Sequence, residues 1–213
     1  MKAIDMEEKL RIERECQAAG CAYIAGTDEV GRGPLAGPLV CAAVVMPLGE
    51  GEIISGVDDS KKVSAKKREI LAEEIKKRAI AYKICEIPPE RIDEINILNA
   101  VKECMKACTD GLSVKPDVLL VDAVEADFGV PHRSVVKGDA KSYTIGAASI
   151  IAKVYRDHLM EDLDAVYPGY GFAQNKGYGT AEHIRKIKEI GPCLIHRKTF
   201  IKNFWDEAEN KPR

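Results

Sequence analysis

Stretches with helical spacing of apolar residues alternate along this chain with short apolar runs closed by turn residues. Residues 2–19 are charged, with Ile4, Met6, Leu10 and Ile12 interspersed, and read as a helix that Gly20 ends. Two strands follow, at about Tyr23–Asp28 and Leu39–Met46, joined by a glycine-rich loop and closed by Pro47 and Gly49. Ile53-Ile54 reads as the start of a further short strand. Ser64 is placed to cap a helix over Ala65–Arg78, whose Ile70, Leu71 and Ile75 share a face. Ala79–Ile87 alternates through Ile80, Tyr82 and Ile84 and reads as a strand, stopped by Pro88-Pro89. Helical spacing returns over Ile92–Ala107, with Ile95, Leu98, Val101 and Met105 on one face. The unbroken run Val118–Asp122 reads as a strand covered on both faces. Residues 123–134 read as irregular, and Ser134–Asp139 gives an apolar pair followed by an acid after a glycine. A long helix is predicted from Tyr143 to about Val166, buried in its small, apolar first half and exposed in its charged second half. Pro168–Phe172 breaks it, and Ala173–Gly179 reads as a polar loop. Thr180 caps a helix over Ala181–Ile190 that Gly191-Pro192 stops. A short last helix is expected through Ile201–Trp205, and Asn210–Arg213 is expected to fray.

Composition narrows the class. With 213 residues, 46% hydrophobic and 31% charged, the chain can build one ordinary core under a charged surface. The formal net charge of −2 excludes a grossly basic nucleic-acid binder, so any basic surface is local. The seven cysteines include no Cys-x-x-Cys pair, and most lie in apolar runs. They read as reduced thiols of a cytoplasmic protein, and Cys104 with Cys108 lacks the second pair that zinc binding would need. The acidic N-terminus does not read as a signal peptide, and no apolar run reaches membrane-spanning length.

Candidate chemistry gathers at the strand ends. Asp28 and Glu29 stand where the first strand meets Gly31-Arg32-Gly33, Asp122 ends its apolar run, and Asp139 follows one closely. Convergent carboxylates repel one another unless a cation neutralises them, and oxygen-only ligands favour Mg²⁺ or Mn²⁺. Neighbouring strand residues point to opposite faces, so Asp28 and Glu29 share a site only if the strand ends or bends between them. Glycines beside them leave backbone N–H groups open to a phosphate or sugar. His132, His158, His183 and His196 form no evident constellation and read as surface or structural residues. Lysines at 61, 62, 66, 67, 137, 141, 153 and 176 fall near the motif loops and could supply a local basic groove, although Lys66 and Lys67 read better as a solvated helix face.

The ordered blocks Asp28-Glu29-Val30-Gly31-Arg32-Gly33, Val121-Asp122, Lys137-Gly138-Asp139-Ala140-Lys141-Ser142 running on to Lys153, and Asn175-Lys176-Gly177-Tyr178-Gly179-Thr180 with His196-Arg197 beyond, resemble the bacterial ribonuclease HII family. The Asp59-Ser60-Lys61 loop fits as well. The resemblance implies an α/β ribonuclease H-like fold, a mixed five-stranded sheet flanked by helices, with a helical C-terminal portion from about residue 168. Residues 21–213 would form the catalytic domain and residues 1–20 an N-terminal helical extension. It implies a metal-dependent endonuclease acting on the RNA of RNA–DNA hybrids and on single ribonucleotides in duplex DNA, as in ribonucleotide excision repair. The cut would fall on the 5′ side, leaving 3′-hydroxyl and 5′-phosphate ends. Asp28, Glu29, Asp122 and Asp139 would be catalytic and hold two Mg²⁺ or Mn²⁺ ions. Gly31, Arg32 and Gly33 would read the 2′-hydroxyl through backbone groups, Tyr178 would pack on the sugar at the junction, and Lys61 would touch a phosphate.

Arg32 between the loop glycines and the short leader set the chain apart from ribonuclease HIII, which carries a separate N-terminal binding domain. The tail lacks the glutamine-plus-paired-aromatic motif of clamp binders, which speaks against sliding-clamp contact; a monomer is expected, with Phe200, Phe204 and Trp205 packed on the domain. Two rival readings stay open: a non-catalytic hybrid-binding module of the same fold, and a nucleotide binder using Gly31–Gly37 as a phosphate cradle, although the loop lacks a Gly-Lys-Ser/Thr ending.

Overall fold

The computed structural model describes residues 6–205. In chain order the elements are α1 (Met6–Ala18), β1 (Ile24–Val30), β2 (Leu39–Val45), α2 (Ala65–Arg78), β3 (Ala81–Ile87), α3 (Pro89–Ile95), α4 (Ile97–Asp110), β4 (Val118–Asp122), β5 (His132–Val135), α5 (Gly138–Lys141), α6 (Tyr143–Val166), α7 (Phe172–Asn175), α8 (Ala181–Ile190) and α9 (Lys198–Ile201). The strands form one mixed sheet in the order β3-β2-β1-β4-β5. β1, β2 and β3 pair antiparallel, while β4 and β5 run parallel to β1. This is the mixed five-stranded sheet expected from the resemblance.

Both faces of the sheet are covered, and strand alternation divides the core accordingly. Val40, Ala42, Val44 and Leu120 pack with α1, α2 and α6, whereas Leu39, Cys41, Ala43, Val45, Leu119 and Val121 pack beneath α4. The first half of α6 lies directly on β1. Gly26 permits the approach, since a Cβ there would sit 2.2 Å from the Thr144 carbonyl carbon. A third cluster, with Ala36, Met160, Tyr170, Phe172, Ile187 and Ile201, joins the glycine loop to the C-terminal helices; Phe204 and Trp205 pack against it, and Phe200 packs beneath α4.

The structure departs from the sequence pattern at several elements. Met6 begins the described part of α1, and Ile4 lies outside it, as does the tail expected to fray. Ile53-Ile54 forms no strand; Ile54 is buried and its N–H donates to the Tyr143 hydroxyl. Ser64 occupies the N-cap of α2 without a side-chain cap bond. On β3 the buried residues are Ala81 and Ile87, while Ile80 and Tyr82 are exposed. The helix expected over Ile92–Ala107 is two helices, divided at Asn96, whose φ of 67° breaks the first and whose side chain caps the second. Residues 132–135, expected to be mostly irregular, form the edge strand β5. The loop at Ala173–Gly179 contains the end of α7, and the last helix ends at Ile201 rather than starting there. The second half of α6 is mostly exposed, yet Arg156 and Met160 are buried. All seven cysteines are free thiols, and Cys16, Cys41, Cys104 and Cys108 are buried. Among the described residues no helix is long and apolar enough to cross a membrane.

Candidate active site

A cleft of about 280 Å³ opens at the ends of β1 and β4, lined by Asp28, Glu29, Val30, Ser60, Lys61, Asp122, Asp139, Ser149, Lys153 and Tyr178. All four sequence-predicted acids therefore meet there. β1 does not end between Asp28 and Glu29, one of the two ways the alternation argument let them share a site, because both are paired with β2. β4 instead accompanies β1 only as far as Thr27, paired with Val121. Beyond that point the edge of β1 is open, and side chains from both of its faces reach one cleft. Asp139 arrives from the first turn of α5, not from a strand end.

Burial dominates the electrostatics. Asp28 is 6% exposed, and desolvation together with the neighbouring Glu29 pushes its pKa well above the ordinary aspartate range. Burial raises Glu29 to about 7 against the opposing pull of Arg32, and Asp139 is raised by burial, Asp59 and Asp122. Local donors engage part of this charge. Asp122 Oδ1 accepts from the Gly138 N–H at 2.7 Å, Asp139 Oδ1 from the Ala140 N–H at 2.8 Å, and Glu29 Oε1 from Arg32 at 3.1 Å. Glu29 Oε2 is buried with no hydrogen-bond partner. Among the described residues no three His, Cys, Asp or Glu side chains stand close enough together to hold a metal ion as they are placed. The donor set nevertheless suits a hard divalent cation: four carboxylates, three of them driven toward protonation, and one buried oxygen with no partner.

The glycine loop is fixed from beneath by two buried arginines: Arg156, which the sequence pattern did not single out, and Arg197, which it placed in the resembling blocks without a role. Arg156 Nε donates to Pro38 O at 3.0 Å, and its terminal nitrogens donate to Lys176 O and Ala36 O. Arg197 donates to the carbonyls of Gly31, Arg32 and Gly37. Burial lowers Arg156 to about 10 and Arg197 to about 9, and neither has an acid among these partners. Gly31 lies at φ 96°, and a Cβ there would come within 2.4 Å of Arg156 Nε. The carbonyls of Gly31 and Arg32 thus face inward. Gly33 is exposed, 3.8 Å from the Tyr178 ring by the position a Cβ would take. The Arg32 side chain turns back to Glu29.

Of the eight lysines near the motif loops, Lys61 and Lys153 line the cleft. Lys153 pairs with Asp157 at 2.6 Å and Lys176 with Glu161 at 2.6 Å. The histidines do form a constellation, contrary to the sequence reading. His183 and His196 are buried with their Nε2 atoms 3.0 Å apart, against Tyr170 and Phe172. Neither lines the cleft. His132 and His158 pair with Glu125 and Glu69 at the surface.

Comparison with known proteins accords with this geometry. The family model described as Ribonuclease HII matches residues 25–207. The chain is 50% identical over 200 residues to Ribonuclease HII of Ruminiclostridium cellulolyticum, covering 93% of this chain and 78% of that one. Among solved structures it is similar to ribonuclease H2 of Pyrococcus horikoshii, with a TM-score of 0.74 and 28% identity over 89% of this chain and 100% of that one. It is also similar to the RNase HII of Archaeoglobus fulgidus solved in complex with PCNA, with a TM-score of 0.72 and 30% identity over 86% and 97% of the two chains. The chain belongs to the ribonuclease HII family, metal-dependent endonucleases that hydrolyse the RNA of RNA–DNA hybrids.

Proposed function

We propose that Asp28, Glu29, Asp122 and Asp139 hold two divalent ions, Mg²⁺ or Mn²⁺, and that the enzyme cuts on the 5′ side of single ribonucleotides in duplex DNA as well as within hybrids. The observation that carries this reading is the meeting of the four acids in one cleft that also holds Tyr178 and Lys61. Bound there, such ions supply an activated water and neutralise the leaving oxygen. The chain's own residues do the rest. Arg197 and Arg156 hold the loop so that its N–H groups, not its carbonyls, are offered to the substrate. The 2′-hydroxyl both donates and accepts, and backbone groups can read it without reading a base. Tyr178 packs on the sugar beside Gly33, and Lys61 meets a phosphate. No histidine base is called for, since the two buried imidazoles stand outside the cleft. The enzyme acts in the cytoplasm as a monomer, and half-buried Phe204 and Trp205, packed against the C-terminal cluster, speak against sliding-clamp contact through those rings.

The test is cleavage of a duplex with one embedded ribonucleotide, with end mapping, in Mg²⁺, in Mn²⁺ and in chelator. A 5′-side cut with a 3′-hydroxyl, lost in chelator, is expected. Asp122→Asn should abolish cutting while hybrid binding stays measurable. Cleavage that survives Asp122→Asn, or a cut on the 3′ side, overturns the reading.

A further inference from the structure

The sequence sets residues 1–20 apart as an extension, yet two charged residues of α1 are sealed inside the protein beside the cleft. Lys9 is 3% exposed and Glu13 is 0% exposed. Lys9 Nζ donates to the Asp139 carbonyl at 2.6 Å and to Asp58 Oδ1 at 3.3 Å. Glu13 Oε1 accepts from Ser142 Oγ at 2.5 Å, and from Thr144 N and Thr144 Oγ at 2.9 Å each. These contacts bracket α5. The helix has four residues, is entered through Lys137 at φ 58°, and carries Asp139. So short a helix has little stability of its own, and its position depends on what grips its ends. Lys9 grips the peptide of Asp139 itself, and Glu13 grips the junction where α5 passes into α6.

Gly146 completes the arrangement. A Cβ there would stand 3.2 Å from both the Asp139 carbonyl oxygen and Lys9 Nζ, so the first turn of α6 leaves just enough room for the pair. Burying a lysine is costly unless its ammonium is matched. Here the match is one peptide oxygen and one acid, both on segments that border the cleft: Asp58 precedes the loop carrying Lys61, and Asp139 lines the cleft. A purely structural anchor would not need to end on the backbone of a cleft acid.

We propose that Lys9 is a positioning residue for Asp139: α1 fixes the fourth carboxylate by holding its main chain, with Glu13 clamping the adjoining turn. This rests on the reading of Asp139 as a metal-holding residue. Two physical effects of removing Lys9 act in opposite directions, which makes the test sharp. Loss of a nearby positive charge alone would strengthen cation binding, because the cleft would become more negative. Loss of positioning weakens it.

The experiment is titration of the substrate-free protein with Mn²⁺, read by calorimetry and by the electron-spin signal of free Mn²⁺, for the parent, Lys9→Met, Gly146→Ala and Asp139→Asn. Lys9→Met should weaken Mn²⁺ binding at least tenfold. The Mn²⁺ concentration for half-maximal cleavage should rise by a similar factor, and KM for the hybrid at saturating metal should stay within about twofold. Gly146→Ala keeps every hydrogen-bonding group, favours helix and crowds the contact, and should weaken binding severalfold. It decides the matter if Lys9→Met does not fold. Unchanged or tighter Mn²⁺ binding in folded Lys9→Met, or unchanged binding in Gly146→Ala where only that variant folds, overturns the proposal. If Asp139→Asn also leaves Mn²⁺ binding unchanged, the reading of Asp139 itself has failed. If Asp139→Asn weakens binding and the other two do not, the positioning role alone has failed.

Discussion

Glu29 makes the metal-free protein sensitive to pH in a direction opposite to that of most carboxylates. Burial holds its pKa at about 7, against 4.5 for an ordinary glutamate. Between those values the unfolded chain has lost the proton that the folded chain retains. The unfolded state then binds fewer protons, so stability falls as pH rises from 4.5 to 7 and stays reduced above. The full effect is on the order of 3 kcal/mol. Glu29→Gln should therefore raise the urea midpoint of the metal-free protein at pH 8, leave it nearly unchanged at pH 4.5, and abolish cleavage. A glutamine variant less stable than its parent at pH 8 would contradict this account. Tyr178 is governed by contact instead of charge. Its side chain is exposed beside Gly33, and its carbonyl accepts from the Thr180 N–H. If the ring packs on sugar, Tyr178→Phe keeps kcat/KM within about threefold. Tyr178→Ala then forfeits an apolar contact of about 2 kcal/mol, roughly thirtyfold in kcat/KM. Equal losses in the two variants would argue against sugar packing.

At the scale of elements, the C-terminal helices owe their seat to a hydrogen-bond chain with one consistent proton arrangement. The Cys193 N–H donates to His196 Nδ1, His196 Nε2–H then donates to His183 Nε2, and His183 Nδ1–H donates to the Tyr178 carbonyl. Both rings are neutral in this chain, and burial lowers His196 to about 4 and His183 below its ordinary value. Here the sign is the usual one for acid denaturation. As pH falls below 6.5 the unfolded histidine takes up a proton that folded His196 refuses until about pH 4, so stability falls across that window. Glu29 pulls the other way over the same range, so the test is the difference between parent and variant: in urea unfolding from pH 7 to 4.5, His196→Asn should cost stability at pH 7 and lose less than its parent as pH falls; parallel profiles would exclude His196 as a source of acid sensitivity. None of this was legible beforehand, because a histidine on an amphipathic helix and another in a loop have no visible relation until α8 and the following loop pack together. Lys9, Glu13 and Arg156, and the burial of Arg197, escaped for a related reason. Hydrophobic periodicity assigns a charged residue to solvent, and only tertiary partners reverse that assignment. Apolar runs and capped helices were legible, since Val118–Asp122 and Tyr143–Val166 carry their own burial in their composition. The break at Asn96 and the polar edge strand β5 were not, because one depends on a single positive φ and the other on a neighbour to pair with.

For the molecule as a whole, the central position of β1 joins acids that lie far apart in the chain. The sheet order brings β4 beside β1, and β5 then delivers α5 to the same edge, so the carboxylates meet by topology, although sequence spacing alone gave each of them separately. The same assembly bears on how a chain of net charge −2 would take hold of a polyanion. Net charge gives no long-range attraction, so the grip rests on local phosphate contacts. Lys61 is exposed at the cleft, whereas Lys153 is half-buried and already paired with Asp157. Each phosphate contact contributes a slope of about −0.9 to the dependence of log affinity on log salt. Hybrid binding by this enzyme should therefore have a shallow salt dependence, corresponding to only a few contacts. Lys61→Ala should reduce the slope by about 1 and weaken binding by the same factor on hybrids of different base sequence, because a phosphate contact carries no base information. Filter binding at several salt concentrations checks both. An unchanged slope would place Lys61 off the backbone, and a loss that varies with base sequence would mean that the cleft reads bases after all.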